Sequence, residues 1–199
     1  MPSILDAVTQ ALGPQAQQQI AQHLGVDPSQ VGSALQAGIP TLLAGLANQA
    51  SQPGAMQNLV AALDRDHDGS ILNDVAGFLG QGQGAAAAGS GILGHLFGGQ
   101  QDALHQAIGQ HAGIDPGKVS AILAMAAPIV MGAVGRARSQ QGLDAGALAN
   151  LLGQSHQAAL QQAPQLGNLA GLASQLLGGA QGGGGLGGML GSLLGGKQP

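Results

Sequence analysis

Residues 20–31 read IAQHLGVDPSQV, and residues 108–119 read IGQHAGIDPGKV. Sliding residues 3–63 forward by 88 positions without gaps gives 17 identities over 61 positions. ILDAV at 4–8 then meets ILGHL at 92–96, Pro40 meets Pro128, and SQPG at 51–54 meets SQQG at 139–142. A chain rich in Ala and Gly produces chance matches. Shared His, Asp-Pro, Val and mid-helix Pro positions are harder to obtain that way. The pattern predicts a duplicated unit of roughly 75–80 residues. The expected divisions are a first helical repeat at 1–80, a flexible Gly/Ala linker at 81–90 (GQGQGAAAAGS spans 80–90), a second repeat at 91–165 and a Gly/Leu-rich tail at 166–199.

The punctuation inside each unit is helical. Pro14 opens a run that Gly25 closes, with Ile20 and Leu24 on one face. Asp27-Pro28 opens the next run, with Val31, Leu35, Ile39, Leu42, Leu43 and Leu46 at helical spacing. Pro40 is expected to kink or divide that helix. The second unit repeats the scheme with Val119, Leu123, Met125, Ile129, Val130 and Val134. Strand-like alternation is scarce, so the expected fold class is all-α, with two tandem helical repeat units and a helix–loop–helix calcium-type loop in the first.

Composition narrows the function. Charged residues make up 7% of the 199, where a globular chain carries about 25%. There is no Cys, which removes disulfide and thiol chemistry. The five cations are too few and too spread for a nucleic-acid interface. The N-terminus lacks the basic region and apolar run of a Sec signal. The expected compartment is therefore the cytoplasm, with signal-less export as the alternative.

All nine acids are Asp. Asp27 and Asp115 precede Pro in the N-cap arrangement. Asp102 and Asp144 begin helical runs, and Asp6 follows Ser3 as a weak capping box. The other four crowd into DRDHDGSILNDV at 64–75. Read as a calcium loop, Asp64, Asp66 and Asp68 take positions 1, 3 and 5. Gly69 takes the sharp turn at 6, and Ser70 offers its carbonyl at 7. Ca²⁺ takes about six to eight oxygens, and alternate Asp side chains on a tight loop can converge on one point. Position 12 is Val75 rather than a bidentate acid. Asp74, one place early, is the candidate to close a shorter and weaker site. The equivalent stretch of the second unit, LLGQSHQ, has no acids. The expected ligands are thus Asp64, Asp66, Asp68, Ser70 and Asp74, with Ca²⁺ in a structural role.

Other signals carry less. His23 and His111 stand just before helix-ending glycines, where a His caps carbonyls. The GxGxxG at 183–188 follows no strand and is dismissed. No nucleophile–base set is visible, so an enzyme is not expected. Residues 119–135 form 17 uncharged positions, bordering on membrane-spanning length. The expectation there is a buried central helix.

ALDRDHDGSILNDVAGFLG, the Gly-rich stretch after it, GILGHLFGG and PIVMGAVGRARSQQGLDAGALANLLGQ together resemble the bacterial domain-of-unknown-function family 937. The resemblance covers about residues 3–165. It implies a helical, weakly charged bacterial protein, and no assigned activity accompanies it.

The expected role is a non-enzymatic structural protein that self-associates into a homo-oligomer or filament, through uncharged faces such as 34–46 and 121–134. The alternatives are a membrane- or envelope-associated helical protein, using 119–135 and the tail, and a Ca²⁺-responsive binding module.

Overall fold

The computed structural model describes residues 4–52 and 54–162. Among them every regular element is helical. Helices α1 (Ile4–Ala11), α2 (Pro14–Leu24), α3 (Pro28–Ala50) and α4 (Ala55–Asp66) are followed by a 3₁₀ turn at Ser70–Asn73 and the short α5 (Val75–Gly80). Then come α6 (Gln83–Phe97), a 3₁₀ turn at Gly98–Gln100, α7 (Gln101–Ala112), α8 (Pro116–Gln141) and α9 (Ala145–Gln162).

The helix boundaries fall where the local chemistry asks. Asp27 caps α3: its Oδ1 accepts the Ser29 N–H at 2.8 Å, while the Gln30 side chain accepts the Asp27 N–H. Asp115 caps α8 through the Gly117 N–H, and Asp144 accepts the Ala147 N–H at the start of α9. Gly25 and Gly113 end α2 and α7 at φ +62° and +68°, the left-handed conformation that favours Gly.

α3 and α8 form the centre. α2, α7 and α9 pack on α3, and α1, α6 and α7 pack on α8, so both halves of the chain share one core. Both helices run through their internal proline without a break, so Pro40 does not divide α3. Pro40 and Pro128 are both buried, and packing on several sides outweighs the loss of one backbone donor.

Residues 81–90 depart from the expected flexible linker. From Gln83 they form the first turns of α6. Four consecutive alanines favour helix, and Ala85, Gly89, Leu93 and Leu96 line up as a buried face. Gly89 is the point of closest approach. A Cβ there would lie 1.6 Å from the Ala124 oxygen. That carbonyl lacks its helical donor because Pro128 has no N–H, and only a residue without a side chain fits against it at position 89.

The faces expected to join copies are used inside the molecule. Ala34, Leu35, Ala37, Ile39, Leu42, Leu43 and Leu46 are buried, as is nearly every residue of 121–134. α8 is long and apolar enough to cross a membrane, with mean hydropathy 1.7 over its most apolar window, and 78% of that window is buried within the molecule. The tail expected at 166–199 lies outside the described residues.

Candidate functional site

The acidic loop begins on the last turn of α4, which carries Asp64, Arg65 and Asp66. His67 ends the helix, and Gly69 turns the chain at φ +94°. The Asp68 Oδ1 accepts the Ser70 N–H at 2.9 Å, closing a small side-chain turn that leads into the 3₁₀ segment. At the far end the Asp74 Oδ1 accepts the Gly77 N–H at 2.8 Å and caps α5.

The loop lies directly on the C-terminal half of α8, and glycines allow the contact. A Cβ on Gly135 would stand 1.8 Å from the His67 oxygen, and one on Gly132 would stand 2.4 Å from Ile71 Cγ2. A Cβ on Gly69 would meet the Arg136 Cβ at 2.7 Å. At this contact the backbones are close enough for α8 side chains to reach the loop's oxygens.

Two arginines do so. The Arg136 Nη2 donates to the Gly69 carbonyl at 2.8 Å and to the Asn73 Oδ1 at 2.6 Å. The Arg138 Nη1 pairs with the Asp64 carboxylate, Arg138 being the more buried partner. Arg65 pairs with Asp66 at 3.1 Å, both side chains well exposed. Three of the chain's five cations therefore stand at this loop.

The electrostatics follow the geometry. Hydrogen bonds from Ser70 hold the Asp68 carboxyl below the usual carboxylate range, assisted by the Arg136 charge. Burial pushes the His67 imidazole below its ordinary value, against the opposing pull of Asp66.

The five residues expected to bind Ca²⁺ are brought into one loop but not onto one point. Asp64 faces Arg138, Asp66 faces Arg65, Asp68 bonds the Ser70 N–H, and Asp74 caps α5. Among the described residues no three His or Asp side chains are grouped so that they could hold one ion. As arranged, the oxygens of these residues are engaged separately.

Sequence reasoning missed Arg136 and Arg138. A signal was present in the 88-residue offset: the arginines fall opposite Asn48 and Ala50, while Asp64, Asp66 and Asp68 fall opposite Leu152, Gln154 and His156, and Asp74 opposite Gln162. Asp64 lies in one half and its paired cation, Arg138, in the other.

Comparison with known proteins adds a family only. The family described as "Bacterial protein of unknown function (DUF937)" matches residues 6–137. No curated protein and no solved structure matches.

Proposed function

The chain belongs to this bacterial family of unknown function, and from that premise we propose a non-enzymatic helical structural protein. In this reading the two halves pack on each other through α3 and α8, and the acidic loop of the first half clasps the central helix of the second. The observation that carries the reading is the pairing of Asp64 with Arg138 beside Arg136 on Gly69 and Asn73. It answers why a chain so poor in charge keeps four acids together: their counter-charge comes largely from its own α8.

Several further features support a structural rather than a chemical use of the acids. Asp27, Asp74, Asp115 and Asp144 accept backbone N–H groups at helix starts, and Asp64 and Asp66 are ion-paired. The exchange between halves is reciprocal. α2 and α7 each end beneath the first turn of the other half's long helix, touched there by Lys118 and Gln30 respectively.

Self-association belongs to this reading, through surfaces other than the buried faces of α3 and α8. Low charge leaves little repulsion between copies. Light scattering and negative-stain imaging of the purified full chain at rising concentration test it, and a clean monomer throughout removes self-association.

A second reading keeps the ion. Gly69 at φ +94°, with Asp68 folded onto Ser70, has the local shape of a cation loop at its turn. In this reading Ca²⁺ competes with Arg138 for Asp64. Melting with and without calcium separates the two. The clasp reading expects no shift in the natural chain, and the ion reading expects a rise that is larger in Arg138→Ala.

A further inference from the structure

Between the C-terminal end of α3, α4 and α6 runs an apolar groove of about 270 Å³, lined by Leu46, Leu59, Ala62, Ile92, Leu96 and Met131 among others. It has no Asp, Lys or Arg in its wall, and its ionisable neighbours are His67 and His95. A 150 Å³ apolar cavity takes a benzene, so this groove has room for about two branched aliphatic side chains.

We infer that the chain's own C-terminal segment, residues 186–194, is the occupant of this groove. Three observations converge. First, 37 residues follow Gln162, and Lys197 is their one charged residue, so an uncharged segment meets an uncharged wall. Second, Leu186, Met189, Leu190, Leu193 and Leu194 stand at i, i+3, i+4, i+7 and i+8, which gathers them on one side of a helix and leaves Gly187, Gly188 and Gly191 on the other. A helix so rich in Gly is unfavourable alone and needs a surface to form against.

Third, the chain leaves α9 in the right place. Ala159 shares a cavity wall with Leu35, Gln36, Ile39 and Pro40 of α3. The groove lies further along the same helix, at Leu46 and Gln49. At 1.5 Å per residue that is about 10–15 Å away. The 23 residues from 163 to 185 can span up to about 75 Å when extended. Attachment within one molecule gives an effective concentration of about a millimolar, so the molecule's own segment outcompetes that of a second copy in dilute solution.

The chain has no cysteine, so a pair of introduced thiols reports on this contact without background. The test places Ser192→Cys with Ala62→Cys in the full chain, and treats it with a short bismaleimide at low concentration. Asn58→Cys, exposed on the same groove, serves as a second variant should Ala62→Cys fold poorly. Gln154→Cys is the control: it lies outside this groove, on the exposed side of α9, and is closer in sequence to Ser192. The expected result is intramolecular linkage about tenfold faster at the groove than at Gln154→Cys, falling to the control rate when Leu190→Asp and Leu193→Asp are added. Equal rates at groove and control, linkage between molecules only, or indifference to the two Asp substitutions would each overturn the inference.

Discussion

Gln30 and Lys118 stand 88 residues apart, and each donates a hydrogen bond to the end of the other half's second helix. Gln30 Nε2 donates to the Gly113 carbonyl at 2.9 Å, and Lys118 Nζ donates to the Leu24 carbonyl. Carbonyls at a helix C-terminus lack intrahelical donors and attract cations and N–H groups. The same residue of Gln30 also completes the capping box with Asp27, so one amide serves both local and long-range structure.

Removing either contact should therefore weaken the joint between halves. Both lie at the surface, where water can replace the lost donor. Gln30→Ala and Lys118→Ala should each cost about 0.5–1 kcal/mol. Urea denaturation measures it, with Gln30→Ala at the upper end because it also loses the cap.

The Asp64–Arg138 clasp should register in a double-substitution cycle. With Asp64 largely solvated and Arg138 mostly covered, the coupling between Asp64→Asn and Arg138→Met should be about 0.5–1 kcal/mol. It should shrink at high salt, since screening acts on the exposed partner. Denaturation midpoints of the four variants at low and high ionic strength give the value.

Gly89→Ala and Gly153→Ala should act in opposite directions. A Cβ at Gly89 falls 1.6 Å from the Ala124 oxygen, and both helices must shift to admit it. The cost should be roughly 3 kcal/mol or more. Gly153, within α9, has nothing within 4 Å of an added Cβ. There Ala should stabilise by about 0.5–1 kcal/mol through its helix propensity. Thermal melts of the two variants check the contrast.

Acid should destabilise the fold in two stages. His105 is buried, its Nε2 has no hydrogen-bond partner, and burial holds its pKa below 6.5 against the nearby Asp102. His67 is lowered in the same way, against Asp66. A depressed histidine pKa means that the unfolded chain takes up protons first. Stability is full above about 6.5 and falls as pH drops from there toward the lower folded-state values. Asp27 and Asp68, lowered by bonds to Ser29 and Ser70, add their loss only below their ordinary value of 3.8. His105→Gln with His67→Gln should flatten the first stage and leave the second, read as urea midpoints across pH.

Much of this architecture was legible in the residues. The caps at Asp27-Pro28 and Asp115-Pro116, the stops at Gly25 and Gly113 and the apolar spacing of α3 and α8 are local signals, and local hydrogen bonding obeys them. The stretch 81–90 misled because glycine content resembles a linker. Its helix depends on Gly89 meeting a carbonyl 35 positions away, which no window of sequence contains. The acidic loop was legible as a loop with a glycine turn, but the partners of its oxygens were not.

By itself the sequence determined the helical class, the helix ends and the 88-residue echo, because caps, turns and periodicity are settled within a few residues of chain. Only the tertiary structure decided that the two halves share one core, that α6 starts early, and that arginines of α8 face the acids of the loop. Those outcomes depend on which glycine lets two backbones approach, and that is a property of surfaces brought together, not of neighbours along the chain.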